Sequence, residues 1–450
     1  MAPPAAFSGE VVYTVRRSQP VLVAPAKPTP RELKLLSDID DQDGLRFQIP
    51  MIQFYRHKPS MKGKGPAKLI KDALAQALVF YYPFAGRLRE GPGRKLMVDC
   101  NGEGVMFIEA DADISLNQLG DPLQPPFPYL DDFLYKVPGS EGVVDCPLLI
   151  FQVTRLKCGG FILAYRLNHT MSDGAGIVQF LKALAEIIRG ANQPSILPVW
   201  CRNLLSARDP PKITRTHREY EELPNMYDPI WTQESVVHHS FFFGPNKLQA
   251  IHKLFSHNNG QRNTRFEVLT AFLWRCRTKA LQLEPHEEVR FMCINSVRGK
   301  SSPPLLPLGY YGNAFVYPAS VTTVGKLLEN SLEYALEIVK KVKSEATIEY
   351  VQSVADLMVI KGRPCFAMPG TWLVSDTSRL GFRDVDFGWG KAVYGGPATA
   401  GAGPFAGVSY YVACENAKGE EGVVVPFYLP LKTMKRFIQE LDNLLGELQQ

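Results

Sequence analysis

The chain lacks the sequence features that mark secreted, membrane-spanning and metal-binding proteins. Its eight cysteines are far apart, form no CxxC pair and show no regular spacing with the eight histidines, which argues against a disulfide framework and a metal site. No run of about 18 apolar residues occurs, and the first residues have no basic region followed by an apolar core, as a signal peptide would require. We therefore predict a soluble, cytoplasmic protein that binds no metal and does not associate with a membrane.

A block of charge of one sign is also missing. The 50 Lys and Arg residues are spread among 45 Asp and Glu residues, and the net charge is only +5. Nucleic-acid-binding proteins usually concentrate their basic residues, so we predict no nucleic-acid partner. The weak positive field would still favour a small anionic ligand, such as one that carries phosphate groups.

The length and the hydrophobic pattern indicate an α/β protein with two domains. The 450 residues, 45% of them hydrophobic, can bury a large core, and this length suggests two domains more readily than one or three. Segments with helical spacing alternate with β-prone segments. The clearest helices are predicted at 68–83, 174–190, 266–283, after the capping residue Thr264, and 431–448; the predicted strands are 11–17, 148–156, 160–169, 289–297 and 407–415.

A connecting segment divides the sequence near its middle. Between residues 190 and 225, prolines and charged residues replace any regular periodicity, which is typical of a linker. We therefore predict an N-terminal domain at 1–190, a linker at 191–225 and a C-terminal domain at 226–450.

His169 is the first candidate for a functional residue. It lies in NHTMSDG (168–174), between a β-prone segment and a predicted helix, and such junctions often display catalytic groups. A single histidine beside an apolar segment is, however, more often a packing residue. Gly174 and Gly176 favour a catalytic role, because they allow a tight turn and the close approach of a ligand.

A second motif, DFGWG, lies at 386–390 and combines one acidic residue with two aromatic residues and two glycines. Its composition alone indicates an aromatic turn with a role in structural packing.

The two motifs together resemble those of the plant acyl-CoA-dependent acyltransferases of the BAHD family, which carry HxxxD followed by glycine and, later, DFGWG. The resemblance extends along the chain through YYPFAGRL (81–88), the linker, and GNAF (312–315). It implies two domains like those of chloramphenicol acetyltransferase, each with a mixed β-sheet and helices, and a channel at their interface. It also implies acyl-CoA as a co-substrate, a small alcohol as acceptor and no permanently bound cofactor. We expect a monomer.

Two N-terminal segments point to a subgroup of this family. Residues 28–56 and 88–113 look most like the alcohol acyltransferases that form volatile esters, including benzyl alcohol benzoyltransferases and methanol anthraniloyltransferases. Aromatic residues make up 11% of the chain, which would suit a channel for aromatic rings but equally an ordinary core.

The resemblance assigns the catalytic role to His169. In the family, the aspartate of the motif points away from the active centre and pairs with an arginine, so Asp173 is expected to support the backbone, with Arg298 as its candidate partner. The alternative is a His-Asp dyad, in which Asp173 would orient the imidazole.

The resemblance also implies supporting roles late in the chain. Asp386, Gly388 and Trp389 of DFGWG would support the channel on the side that binds CoA. Some family members supply an oxyanion donor from a Thr-Ser-Trp stretch, which falls on Ser375 and the two residues after it. Because Thr377 replaces the tryptophan, a simple hydroxyl-rich loop is the alternative interpretation.

The chemistry of the residues agrees with acyl transfer by general-base catalysis. A neutral imidazole can take the proton of an alcohol at physiological pH, and no GxSxG motif is present to provide a serine for an acyl-enzyme. We predict transfer of benzoyl or a related acyl group from CoA to an alcohol such as benzyl alcohol. The alternatives are a catalytically silent homologue that binds CoA esters or a protein partner, and a serine hydrolase.

Overall fold

The computed structural model describes residues 13–120, 123–127, 130–223, 235–255, 263–401, 403, 405, 407–416 and 418–446. These residues form a mixed α/β fold in which two large sheets are covered by helices, and the predicted fold class is confirmed. No helix in these ranges is long and apolar enough to cross a lipid bilayer. Two of our boundaries, the end of the linker at 225 and the start of the second domain at 226, lie outside the described residues.

The strands are two to ten residues long, and the longest ones lie in the two large sheets. They are β1 (Val15–Arg17), β2 (Val21–Val23), β3 (Leu33–Leu35), β4 (Gln48–Tyr55), β5 (Arg87–Glu90), β6 (Leu96–Asp99), β7 (Val105–Ala112), β8 (Leu149–Leu156), β9 (Phe161–Asn168), β10 (Val236–Phe243), β11 (Glu288–Cys293), β12 (Asn295–Ser296), β13 (Phe315–Val316), β14 (Ala319–Thr323), β15 (Thr371–Asp376), β16 (Tyr394–Pro397), β17 (Ser409–Glu415) and β18 (Glu421–Pro430).

The helices cover the faces of these sheets. They are α1 (Pro66–Phe80), α2 (Leu130–Phe133), α3 (Gly174–Ile188), α4 (Pro245–Lys253), α5 (Arg265–Leu281), α6 (Val324–Glu329), α7 (Leu332–Glu345), α8 (Ile348–Ile360) and α9 (Leu431–Gly446).

The first sheet has the order β1-β7-β8-β9-β4-β16, with β2 also paired to β7. Strands β7 and β8 are parallel, whereas the pairs β8–β9, β9–β4 and β4–β16 are antiparallel. One of the edge strands, β16, comes from the C-terminal half of the chain and pairs with β4. The sheet is therefore completed by a segment that lies more than 300 residues beyond β4 in the sequence.

The second sheet, with the order β10-β18-β17-β15-β11-β14, is built from the C-terminal half alone. It is also mixed, because β15 is parallel to both β11 and β17. A separate core forms where α5, α7 and α9 cover it, around the large side chains of Trp274, Phe291, Trp372 and Phe427.

The connecting segment, described up to residue 223, packs against the C-terminal half of the chain. Arg208 Nε donates to Asp356 Oδ2 at 2.6 Å, and the backbone N–H of Thr214 donates to Ser353 Oγ at 3.0 Å. Both acceptors belong to α8, so the segment lies along that helix.

Most predicted elements are present, with shifted ends. Helix α1 ends at Phe80, before the predicted end at 83, because the ring of Pro83 is incompatible with a continuing helix. Helix α5 begins after Thr264 as predicted, with Thr264 and Glu267 forming a capping box. The last two residues of the predicted 431–448 helix and the first two of the predicted 11–17 strand lie outside the described residues.

One predicted strand is divided into two. The segment predicted as a single strand at 289–297 forms β11 and β12, which belong to different sheets. Between them the backbone N–H of Ile294 donates to the carbonyl of Val374. The chain changes partners at this residue, and the change brings Ile294 and Ser296 to the wall of a cavity.

Candidate active site

The loop at residues 169–173 joins β9 to α3 and holds the candidate histidine. Strand β9 ends at Asn168, whose side-chain oxygen accepts hydrogen bonds from the backbone and hydroxyl of Thr170. The turn is therefore closed locally, and His169 lies at the carboxyl end of its strand, as predicted.

The imidazole of His169 lies between two aromatic rings, one from each half of the chain. Its centroid is 5.4 Å from that of Phe47 and 6.0 Å from that of Phe315. The backbone N–H of His169 also donates to the carbonyl of Phe47 at 2.9 Å. These contacts restrict the position of the ring on both sides.

The two nitrogens of the His169 ring have different surroundings. Nδ1 is buried, whereas the residue as a whole is partly exposed and lines a cavity. Because Nδ1 is buried, we infer that Nε2 is the nitrogen that faces the cavity. Burial lowers the pKa of His169 below its ordinary value, although a backbone hydrogen bond, the side chain of Asn313 and the carboxylates of Asp173 and Asp40 act in the opposite direction. The lowered pKa favours the neutral imidazole at physiological pH.

The cavity beside His169 has a volume of about 150 Å³ and lies between the two large sheets. Its walls are mostly apolar, with a few hydroxyl and charged groups. The lining residues are Ile49, Met51, Leu167, His169, Ser172, Asp173, Gly174, Ala175, Ile177, Ile294, Ser296, Arg298, Phe315, Ser375, Asp376, Thr377, Leu380, Phe382, Pro397 and Tyr410.

The carboxylate of Asp173 is fully engaged with groups other than His169. Oδ1 accepts the backbone N–H of Gly176 at 2.9 Å and so caps the start of α3. Oδ2 accepts Arg298 Nη1 at 2.5 Å and the backbone N–H of Ala314 at 3.1 Å. The ion pair predicted between Asp173 and Arg298 is present.

A glycine is needed at position 176 because the chain packs too closely there for a side chain, and not because a turn requires it. Neither Gly174 nor Gly176 has a positive φ, so the tight turn that we expected from them does not depend on their conformational freedom. A Cβ on Gly176 would lie 2.1 Å from the carbonyl oxygen of Tyr311 and 2.3 Å from Ser172 Oγ. Glycine thus allows the start of α3 to approach the segment around Tyr311.

Ser375 and Thr377 both line the cavity but use their hydroxyl groups differently. Thr377 Oγ1 donates to the carbonyl of Tyr411 at 2.9 Å. The Ser375 hydroxyl, at the end of β15, makes no hydrogen bond with any other described residue. Of these two hydroxyl groups, that of Ser375 is the one available to a ligand.

The DFGWG motif lies away from this cavity. Asp386 Oδ1 accepts the backbone N–H groups of Gly388 and Gly390, both at 2.7 Å, and both glycines have a positive φ, of 107° and 89°. The ring of Trp389 packs edge-on against Phe161 at 5.1 Å. Asp386, Gly388 and Trp389 do not line the described cavity, and their contacts are those of a packed turn on the first sheet.

Sequence reasoning missed three polar residues that lie under the His169 loop. Asn313 Nδ2 donates to the carbonyl of His169 at 2.8 Å, and Arg202 Nη2 donates to the carbonyl of Met171 at 2.7 Å. Both side chains also contact Asp40. The segment GNAF, which contains Asn313, contributes to the family resemblance but had suggested no role for it. Neither Asp40 nor Arg202 belongs to a recognisable motif.

The sequence and the structure are similar to those of known proteins over almost the whole chain. The sequence profile of the Transferase family matches residues 13–444. A benzyl alcohol O-benzoyltransferase from Nicotiana tabacum is 61% identical over 439 residues, which are 97% of this chain and 95% of the relative. Alcohol acyltransferase 16 from Actinidia chinensis var. chinensis is 55% identical over 98% of this chain and 96% of its own length. The crystal structure of vinorine synthase superimposes with a TM-score of 0.71 at 21% identity, covering 96% of this chain and 98% of that chain.

Proposed function

The chain belongs to the BAHD transferase family and is an acyl-CoA-dependent alcohol acyltransferase, and from this premise we propose that it transfers a benzoyl or related acyl group to a small alcohol by general-base catalysis at His169. The observation that carries the proposal is the position of His169, which lines a mostly apolar cavity between the two sheets while its Nδ1 is buried.

His169 takes the proton of the acceptor alcohol as the hydroxyl oxygen attacks the thioester carbonyl. A neutral imidazole is required for this step, and the lowered pKa of His169 keeps it neutral. General-base catalysis of this kind contributes roughly 10²- to 10⁴-fold to the rate. The protonated imidazole then gives the proton to the CoA thiolate as the carbon–sulfur bond breaks, so that the products are an ester and free CoA.

Ser375 donates a hydrogen bond to the oxyanion of the tetrahedral intermediate. Its hydroxyl has no partner among the described residues and lies on the wall of the cavity that contains His169. A donor placed for the developing charge stabilises the transition state more than the ground state. No covalent acyl-enzyme is part of this mechanism.

Asp173, Arg298, Asp386, Gly388 and Trp389 have supporting roles in this proposal. The Asp173 carboxylate accepts three hydrogen bonds from the cap of α3, Arg298 and Ala314, which favours a structural role over a dyad with His169. The contacts of the DFGWG turn favour the same interpretation for the other residues.

The walls of the cavity favour a small, apolar acceptor and an aromatic acyl group. Phe315, Phe382 and Tyr410 contribute aromatic rings, and Ile49 and Met51 contribute aliphatic side chains. Aromatic and aliphatic walls suit rings such as benzoyl and benzyl, because they gain by removing apolar surface from water. The benzoyltransferase name of a 61% identical relative agrees with this choice.

We also propose that the enzyme acts as a monomer in the cytoplasm, with acyl-CoA as a co-substrate and no permanently bound cofactor. All eight cysteines lie in the described part of the chain and are free thiols, which suits a reducing compartment.

A thiol-release assay with several acyl-CoAs and alcohols, and with products identified by mass, tests the proposal. We expect benzoyl-CoA and benzyl alcohol to give benzyl benzoate and CoA. His169→Ala should lower this rate at least about a hundredfold, whereas the exposed His286→Ala control should leave it unchanged. An unchanged rate in His169→Ala would refute the base assignment. Binding of benzoyl-CoA without any thiol release in the parent protein would instead identify a silent binder.

A further inference from the structure

We infer that Arg202, in the connecting segment, is a positioning residue for His169. It acts through the backbone of the loop at residues 169–173, which we call the catalytic loop. The inference rests on the proposed function of His169 and adds to it a residue on which the geometry of the base depends. Arg202 does not line the described cavity, so any effect on the reaction must be indirect.

Arg202 bridges a buried carboxylate and the catalytic loop. Its side chain is 1% exposed and that of Asp40 is fully buried. Nη1 donates to Asp40 Oδ1 at 2.7 Å, and Nη2 donates to the carbonyl of Met171 at 2.7 Å. The planar guanidinium offers parallel donors at a fixed separation, and the arrangement therefore fixes Met171, two residues after His169, relative to Asp40.

The same carboxylate is also linked to the carbonyl of His169, through the side chain of Asn313. Asp40 Oδ1 accepts both the backbone N–H and Nδ2 of Asn313, each at 2.9 Å, and Asn313 Nδ2 donates to the carbonyl of His169 at 2.8 Å. The loop is thus held at two carbonyls by donors that share one carboxylate oxygen. A displacement of Arg202 would move Asp40 and, through Asn313, the backbone of His169.

Aromatic side chains leave the guanidinium little freedom to shift. The carbon at its centre lies 4.4 Å from the ring of Trp200, 5.2 Å from that of Tyr311 and 5.6 Å from that of Tyr310. Gly312 packs closely against another side of the guanidinium, since a Cβ at this position would lie 2.1 Å from Arg202 Nη1. The packing therefore defines a single position for this group.

Stability alone does not explain this arrangement. A buried ion pair gains little over well-packed apolar side chains of similar size, because both charges lose their hydration. Arg202 Nε is, moreover, buried without a hydrogen-bond partner among the described residues. We therefore assign the role of this buried charge, which connects distant segments to the catalytic loop, to the geometry that it imposes.

Two substitutions separate positioning from folding. Arg202→Lys keeps the charge opposite Asp40, but the single ammonium cannot reproduce the paired donors. The double variant Asp40→Asn with Arg202→Gln removes both charges, so that neither is left buried without a partner. The matched control is Arg208→Gln, which changes an arginine of the same segment that pairs with Asp356 of α8.

For both variants we expect kcat to fall at least tenfold per folded molecule, with KM for acyl-CoA and for alcohol within twofold of the parent values. The control should keep kcat within twofold. A kcat within twofold of the parent in both variants would overturn the inference, as would a decrease in activity that disappears after correction for the folded fraction.

A second measurement does not depend on catalysis. The ¹³C resonance of the His169 ring, assigned by its loss in His169→Gln, should shift or broaden in Arg202→Lys and stay unchanged in Arg208→Gln. An unchanged resonance in Arg202→Lys would overturn the inference. If the parent protein released no thiol from any substrate pair, the proposed function would fail, and this measurement would still decide whether Arg202 positions the ring.

Discussion

Arg298 and Asp173 form an ion pair on the wall of the cavity that contains His169, with Nη1 2.5 Å from Oδ2. Arg298 also donates to the carbonyl of Gly312 at 2.7 Å. The pair thus links the start of α3 to the segment before β13, and the aspartate is directed to this connection and not to the imidazole.

Substitution of Asp173 by Asn should therefore destabilise the protein and reduce its activity together. Asn can still cap α3, but it leaves the partly exposed Arg298 without its counter-charge. We expect a decrease of about 1–3 kcal/mol in the free energy of unfolding, measured by thermal or chemical denaturation. Asp72→Asn, which removes an exposed ion pair with Lys68, should change stability by less than about 1 kcal/mol. Loss of activity in Asp173→Asn at an unchanged melting temperature would contradict the structural role.

The pH dependence of kcat/KM should report the lowered pKa of His169. Only the neutral imidazole accepts a proton, so activity should rise with pH through this pKa, which lies below the ordinary 6.5, and reach its plateau before neutral pH. In the same window the unfolded chain binds more protons at this site, so stability should decrease as the pH is lowered. The acid limb should be absent from the residual activity of His169→Ala. A limb centred above pH 7 would argue against His169 as a base with a lowered pKa.

Ser375→Ala should reduce kcat by about a hundredfold, the usual effect of removing one oxyanion donor. Binding of the CoA ester, measured by calorimetry, should change little, because the donor acts mainly in the transition state. Thr377→Val is the matched control, since the Thr377 hydroxyl already donates to Tyr411. Parent-like turnover in Ser375→Ala would remove Ser375 from the oxyanion site.

Asp386→Ala should destabilise the protein while leaving the chemical step intact. The substitution removes two hydrogen bonds to the backbone of the DFGWG turn, at a cost of about 1–3 kcal/mol. We expect a lower melting temperature and, per folded molecule, a kcat within about threefold of the parent value. The neighbouring Asp384→Ala, which removes an exposed pair with Lys391, should change neither quantity. A large decrease in kcat at an unchanged melting temperature would show that the motif acts on the reaction directly.

Local patterns predicted the elements that depend on local physics. The capping box of Thr264 and Glu267 marks the start of α5 because its hydrogen bonds span only three residues. The amphipathic spacing of 431–448 likewise predicted α9, and the β-prone segment before His169 predicted β9. The pairing of Asp173 with Arg298 followed from the resemblance to a family, since no local pattern joins residues 125 positions apart.

The parts that escaped prediction depend on contacts between distant segments. Asp40, Arg202 and Asn313 meet under the His169 loop across separations of up to 273 residues, and a charged residue in a linker is ordinarily expected at the surface. Strand β16 was missed for a similar reason. Its sequence, YGGP, contains two glycines and a proline, which are unfavourable in strands. The segment forms a strand because it pairs with β4.

The origin of β16 also sets the order in which the protein can be completed during synthesis. Until residues 394–397 leave the ribosome, β4 has no neighbour on one side and its backbone groups are open to pairing with another chain. The nascent chain must keep that edge from aggregating while almost 340 further residues are translated. A truncated product that ends before β16 would retain the same open edge permanently.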